Sequence, residues 1–96
     1  MPARLVPLIS GAAPPIPLER PVLLIGRHPE CDISLNLPQI SRRHCCVAQA
    51  SARLVIRDLG SRNGTFLNTL PARNTKVHAG DEIRAGVNRF KIEQRA

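Results

Sequence analysis

Aromatic residues are nearly absent from this 96-residue chain, which has two phenylalanines and neither tryptophan nor tyrosine. Domains that bind single-stranded nucleic acid normally stack the bases on aromatic side chains, so the chain lacks the usual platform for that function. Hydrophobic residues nevertheless make up 43% of the chain, which suits a soluble globular protein. We therefore predict an aliphatic core of Val, Leu, Ile and Ala around Phe66 and Phe90.

Cysteine is also scarce. The three cysteines, Cys31, Cys45 and Cys46, are odd in number and two of them are adjacent. This pattern resembles neither a disulfide framework nor a set of zinc ligands. We predict reduced, mostly buried thiols in a cytoplasmic protein, with no metal site.

No stretch approaches the roughly 20 apolar residues that a membrane-spanning helix needs. The first 18 residues weakly resemble a signal peptide, but four prolines from Pro7 to Pro17 interrupt them. We favour an edge strand over residues 5–9, where proline is tolerated, and we expect no membrane association.

Sequence signatures of catalysis are missing too. The chain has no Gly-rich phosphate loop, no metal-ligand cluster and no nucleophile with a credible general base. Ser41 and His44 are three residues apart, but catalytic triads are recognised by their three-dimensional geometry and no orienting acid can be named. We expect neither catalytic residues nor a cofactor, and the protein is predicted not to be an enzyme.

Positive charge is what the chain has in excess. Fourteen Lys and Arg residues face seven Asp and Glu residues, which gives a formal net charge of +7. Such a balance favours an anionic partner, which could be a phosphopeptide, a nucleic acid or a membrane surface. Most of the charge comes from arginine, whose planar guanidinium suits bidentate contacts with phosphate.

Short apolar runs alternate with turn signals along the chain, a pattern typical of an all-β sandwich or barrel. We predict that Ser10 to Pro21 form a Pro-rich loop and that Asn63-Gly64 form the turn of a hairpin. The chain is expected to be a single domain over residues 1–96, with the edge strand and Pro-rich loop in 1–21 and the core in 22–93. The predicted strands are 5–9, 22–25, 31–35, 44–48, 53–58, 65–67, 75–78, 82–85 and 89–93.

Three polar segments occur in a distinctive order. Gly26-Arg27 closes a predicted strand, Ser41-x-x-His44 precedes the next, and Asp-Leu-Gly-Ser-Arg-Asn-Gly-Thr-Phe-Leu-Asn runs from Asp58 to Asn68. Together they resemble the forkhead-associated (FHA) domain from about Val22 to the end of the chain. The resemblance implies an FHA-like β-sandwich of two antiparallel or mixed sheets with the ligand site in loops at one end.

The family resemblance also implies a function, which is the binding of phosphothreonine in partner proteins in Ser/Thr-kinase signalling. By resemblance, Arg27, Ser41 and Arg42 bind the phosphate, while Arg62 and Asn63 bind the peptide. These residue types suit the task because guanidinium and hydroxyl groups donate to phosphate oxygens, and an amide both donates to and accepts from a peptide backbone.

Three further residues are expected to support the site without touching ligand. Gly26 and Gly64 are backbone positions, and His44 is expected to brace its loop by hydrogen bonding. The expected partner is a threonine-phosphorylated protein or peptide, including a phosphorylated segment of the same polypeptide, with no specific nucleic acid. The oligomeric state is left open by the sequence.

Two alternatives stay open at this point. One is a phospho-independent protein-interaction domain with the same fold, which the presence of Arg27 and Ser41 disfavours. The other is a basic nucleic-acid-binding domain, which the charge favours, although no helix-turn-helix, zinc-finger or RNA-recognition signature is present.

Overall fold

The computed structural model describes residues 3–8, 14–51 and 53–94, and within them the chain forms eleven β-strands and no helix. Consequently, no helix in this part of the chain is long and apolar enough to cross a membrane. The strands are β1 (Ala3–Pro7), β2 (Ile16–Pro17), β3 (Val22–Gly26), β4 (Ile33–Ser34), β5 (Cys45–Ala50), β6 (Arg53–Asp58), β7 (Thr65–Leu67), β8 (Leu70–Pro71), β9 (Asn74–Val77), β10 (Glu82–Ala85) and β11 (Asn88–Gln94).

The strands form two sheets. Sheet A has the order β2-β1-β11-β10-β7-β8, and sheet B has the order β4-β3-β5-β6-β9. All pairs in sheet A are antiparallel, whereas sheet B is mixed because β3 and β4 run parallel. The predicted all-β sandwich of antiparallel and mixed sheets is therefore confirmed.

The core lies between the sheets and is built from the side chains of each strand that face the opposite sheet. In β6, for example, Leu54 and Ile56 are buried while Arg53 and Arg57 are exposed, as expected from the two-residue period of a strand. The largest fully buried apolar side chains are Leu5, Ile25, Ile40, Ile56, Ile83, Ile92 and Val47. The aliphatic core is thus as predicted.

Phe66, however, is not part of that core, and its prediction as a core residue is wrong. Phe90 is buried, but Phe66 is only half-buried on the outer face of sheet A. Phe66 is paired with Arg84 across β7 and β10, and the Arg84 guanidinium carbon lies 4.5 Å from the centre of the ring. The Arg84 guanidinium thus lies over the ring in a cation–π contact.

The three cysteines are free and buried, as predicted. Burial raises the pKa of the Cys45 thiol to about 12, because the interior disfavours the thiolate. The pKa of Cys46 is also raised, with burial as the main cause. Both thiols therefore contribute to packing as small apolar groups and not as nucleophiles.

The predicted N-terminal strand is present, but it does not lie at the edge of its sheet, so that part of the prediction is wrong. It begins at Ala3 and ends at Pro7, and the short β2 pairs with its outer side through Leu5 and Ile16. The segment predicted as a Pro-rich loop therefore contains a strand. Ile9, which was predicted to end the edge strand, and residues 10–13 of the predicted loop lie outside the described residues.

The prediction of a hairpin at Asn63-Gly64 is also wrong. The strands on either side belong to different sheets, since β6 is in sheet B and β7 is in sheet A. Residues 59–64 therefore form a crossover between the sheets, in which Gly60 and Gly64 have positive φ values of 74° and 86°. The tight hairpin is one element later, where Asn68 and Thr69 connect β7 to β8 with φ values of 49° and 73°.

Candidate functional site

Three connections meet at one end of the sandwich. Cys45 at the start of β5 is paired with Ile25 near the end of β3 and with Asp58 at the end of β6. Three connections therefore meet sheet B at the same end of its strands: the loop after β3 (27–32), the loop before β5 (35–44) and the crossover (59–64). Antiparallel pairing is thus what brings together residues that are far apart in the sequence.

The end of β3 is joined directly to the loop before β5. The Arg27 N–H donates to the Ser41 carbonyl at 3.0 Å, and the His28 N–H donates to the Arg42 carbonyl at 3.1 Å. A Cβ atom on Gly26 would overlap the carbonyl oxygen of Arg42. Glycine is therefore required here because the loop backbone lies directly against the strand, which places Arg27 beside Ser41 and Arg42.

His44 links this loop to the crossover. The imidazole is fully buried. Its Nδ1 accepts a hydrogen bond from the Ser41 N–H at 3.1 Å, so the neutral ring carries its proton on Nε2. Nε2 then donates to the Gly64 carbonyl at 2.8 Å. The side chain thus joins two loops of the site and does not face the ligand side.

Asp58, at the end of β6, fixes the conformation of the crossover through hydrogen bonds. Its carboxylate accepts hydrogen bonds from the backbone N–H groups of Gly60 and Ser61, from the Ser61 hydroxyl and from the Thr65 hydroxyl. Burial alone raises the pKa of this carboxyl, but the hydrogen bonds from Ser61, Thr65 and Gly60 outweigh burial and lower it overall. The Ser61 hydroxyl in turn accepts from the Gly64 N–H at 3.0 Å.

Two polar side chains on the ligand side are held by backbone groups, and each keeps hydrogen-bonding capacity. The Ser41 hydroxyl oxygen accepts from the Arg62 N–H at 3.0 Å, which leaves its hydrogen available as a donor. Asn63 donates from Nδ2 to the Gln39 carbonyl at 2.8 Å. Its Oδ1 and second amide hydrogen remain available, so one side chain can accept from and donate to a peptide backbone.

These residues line one cleft of about 330 Å³, which we call the first cleft. Its walls are Arg27, Pro38, Gln39, Ile40, Ser41, Arg42, Arg62 and Asn63. Three of these residues are arginines and none is acidic. Within the described residues, no carboxylate lies within 4.0 Å of any of the three guanidinium groups. The first cleft therefore carries uncompensated positive charge beside neutral donors and acceptors.

The sequence-predicted site residues divide into two groups in the structure. The five predicted to bind phosphate or peptide, Arg27, Ser41, Arg42, Arg62 and Asn63, all line the first cleft. The three predicted to support them, Gly26, His44 and Gly64, lie behind it.

Sequence reasoning missed two contributors to this arrangement. One is the Gln39 carbonyl that orients Asn63. Every residue has a backbone carbonyl, so the sequence cannot indicate which one acts as the acceptor. The other is Ile40, which is buried and lies against Gly86 in the β10–β11 turn, so it anchors the loop to sheet A. The available signal for this anchor was an apolar residue between Gln39 and Ser41.

Comparison with known proteins agrees with this geometry. A family model described as FHA domain matches residues 23–86. The N-terminal FHA domain of S. cerevisiae Rad53p, solved in complex with a phosphothreonine peptide, is similar in structure with a TM-score of 0.84. It is 26% identical in sequence, and the match covers 99% of this chain and 94% of that one.

Two bacterial relatives are more similar in sequence. The oxoglutarate dehydrogenase inhibitor of Corynebacterium diphtheriae is 39% identical over 69 residues, which are 72% of this chain and 48% of the relative. The glycogen accumulation regulator GarA of Mycolicibacterium smegmatis is 36% identical over 69 residues, which are 72% of this chain and 44% of the relative. The match thus spans about half the length of these relatives. Because the family match covers residues 23–86, which contain nearly all of sheet B and the three loops of the first cleft, the chain belongs to the FHA domain family.

Proposed function

We propose that this chain is a phosphothreonine-binding module that recognises a threonine-phosphorylated protein, or a phosphorylated segment of its own polypeptide. Arg27, Ser41 and Arg42 bind the phosphate, and Arg62 and Asn63 bind the peptide around it. The observation that carries the proposal is that these five residues, contributed by three separate loops, line a single cleft without a carboxylate.

The chemistry of the first cleft favours a phosphate over a hydroxyl group. A phosphothreonine carries about −1.5 to −2 charges and three strong acceptor oxygens near neutral pH. Arg27 and Arg42 supply charged donors, and the Ser41 hydroxyl supplies a neutral one. An unphosphorylated threonine would leave most of these donors without a partner.

The backbone bonds behind the cleft reduce the entropic cost of binding. The main chain at Arg27 and Arg42 is already bonded between strand and loop, and Asn63 is already oriented by Gln39. Only the outer parts of the arginine side chains have to become ordered when the ligand arrives. Preorganisation of this kind increases affinity without adding contacts.

We also propose that binding is the whole activity of these residues, so that any effect on another enzyme is regulatory. Two similar proteins are named as an inhibitor and a regulator, which supports this reading. The cleft itself holds no acid–base pair, because its titratable lining residues are all arginines.

Calorimetric titration tests the proposal. The ligand is a degenerate peptide pool with a fixed central phosphothreonine, and unphosphorylated and phosphoserine pools serve as controls. Arg27→Ala should weaken binding of the phosphothreonine pool about 10- to 100-fold, because a hydrogen bond to a charged group contributes about 1.5–3 kcal/mol. Arg53→Ala is the matched control, since Arg53 is also exposed and lies at the other end of β6 from Asp58. Equal binding of phosphorylated and unphosphorylated pools, by a protein shown to be folded, would refute the proposal.

A further inference from the structure

The positive surface continues beyond the first cleft. A second cleft of about 380 Å³ is lined by His28, Arg42 and Arg43. A shallower depression shares Arg27 and Arg42 with the first cleft, and His28 and Arg42 with the second. The two clefts are therefore parts of one groove, with Arg42 common to both.

The charge of this groove exceeds what one phosphate can balance. Arg27, Arg42, Arg43 and Arg62 together contribute four positive charges, and the lining of the two clefts contains no Asp or Glu. Arg43, like the other three, has no carboxylate within 4.0 Å among the described residues. A single phosphomonoester brings about two negative charges, so roughly half of the positive charge stays unbalanced.

The second cleft presents hydrogen-bond donors and no side-chain acceptor. The Nδ1 of His28 accepts from the Glu30 N–H at 3.1 Å, so the proton of the neutral imidazole is on Nε2. The carbonyl of Arg42 accepts hydrogen bonds from the His28 N–H at 3.1 Å and from the Cys31 thiol at 3.4 Å. With the main chain held in this way, one imidazole N–H and two guanidinium groups remain available at the cleft.

This arrangement distinguishes the second cleft from a dispersed basic surface. Elsewhere in the fold, three arginines are paired with carboxylates, Arg4 with Glu93, Arg20 with Asp32 and Arg89 with Glu82. Arg53, Arg57 and Arg73 have no such pair among the described residues, but they do not line the second cleft. In the second cleft, two arginines adjacent in sequence share one depression with a histidine. A carboxylate or a phosphate can accept hydrogen bonds from all three groups.

We propose that the second cleft binds a second anionic group of the same ligand chain, a phosphate or a carboxylate close in sequence to the phosphothreonine. The inference rests on the proposed function and deepens it, since it names the ligand class as a peptide with two acidic groups. Arg42 contacts both groups, Arg43 and His28 contact the second one, and Arg27 and Ser41 contact the first.

Degenerate pools with a fixed central phosphothreonine test this inference by calorimetry. A second position, moved from three residues before to three residues after the centre, holds serine, glutamate or phosphoserine. At the best position, phosphoserine should tighten binding roughly five- to tenfold over serine, with glutamate in between, as expected for a charge-assisted contact at a partly exposed site. The serine, glutamate and phosphoserine pools distinguish a carboxylate from a phosphate as the second group.

The variant Arg43→Ala should reduce that gain to less than about twofold while leaving the affinity for the serine pool nearly unchanged. Arg53→Ala removes the same charge far from the groove and should keep the full gain. Thermal unfolding of each variant checks that it is folded.

Three results would overturn the inference. Loss of the gain to the same extent in Arg53→Ala would mean that general electrostatic attraction causes it. Binding of the serine pool without any gain from a second acid would refute the second site and leave the proposed function standing. Failure of the serine and phosphoserine pools alike to bind would refute both.

Discussion

Replacing His44 by alanine is the sharpest test of how the site is held together. The imidazole is fully buried, and it forms hydrogen bonds to both the loop before β5 and the crossover. Alanine would leave the Ser41 N–H and the Gly64 carbonyl without their partner. It would also leave a cavity of about the size of the ring.

The expected loss follows from these contacts. A buried donor or acceptor left without a partner costs about 1–3 kcal/mol. Ser41 and Gly64 are themselves half-buried, so water can reach them in part and the lower end of that range applies to each. Together with the cavity, we expect His44→Ala to lower the free energy of unfolding by about 2–4 kcal/mol. That is a large part of the stability of a small domain.

Two further variants separate the two bonds. In His44→Asn, the amide oxygen replaces Nδ1 and can still accept from Ser41. In His44→Gln, the longer side chain can still donate to the Gly64 carbonyl. We expect each variant to recover about half of the loss.

Urea denaturation followed by far-ultraviolet circular dichroism measures the effect, since the chain has no Trp or Tyr for intrinsic fluorescence. A loss below about 1 kcal/mol for His44→Ala would contradict the reasoning that unsatisfied groups cost more than this. If Asn and Gln were no better than Ala, the packing of the ring and not its hydrogen bonds would be the cause.

Two other predictions concern the backbone and the carboxylate behind the site. Gly26→Ala should destabilise the protein by about 1–3 kcal/mol through overpacking and weaken phosphopeptide binding by the folded protein, because its Cβ collides with the backbone of Arg42. Gly80→Ala, which meets no atom within 4 Å but has a φ of 92° in the turn at the opposite end of the sandwich, should lower stability and leave affinity unchanged. Asp58→Asn should cost about 1–2 kcal/mol at pH 7, because an amide cannot accept all four hydrogen bonds of the carboxylate. Since the pKa of Asp58 is lowered by folding, its contribution is fully present above the ordinary aspartate pKa of about 3.9 and is lost as the pH falls toward the folded-state value. Unfolding titrations at several pH values should therefore show the two proteins converging in stability in acid, and a constant difference would contradict this origin.

Sequence reasoning succeeded where a local pattern decides the structure. The strands over 53–58, 65–67 and 82–85 have the predicted bounds because alternation and adjacent turn residues mark both of their ends. It failed for the two-residue strands β2 and β8, which have no pattern of their own and exist only because a longer neighbour offers backbone partners. It also failed for Asn63-Gly64, since a turn signal does not say in which sheet the next strand will lie.

Composition and short-range pattern were enough to predict the all-β class, the aliphatic core and the excess of positive charge. The polar residues of the site were identified through the resemblance of their motifs to those of the FHA domain. It is the pairing of distant segments in the fold that brings Arg27, Ser41, Arg42, Arg62 and Asn63 to one cleft. That outcome depends on the register of β3, β5 and β6, on the absence of a side chain at Gly26 and on the two bonds of a buried His44. Tertiary structure also joined Arg43 and His28 to the same groove, fifteen positions apart in the chain, because the β3 end and the loop before β5 share backbone hydrogen bonds. Contacts of this kind depend on pairing between distant segments, and the free energy of such pairing is not encoded in any one of them.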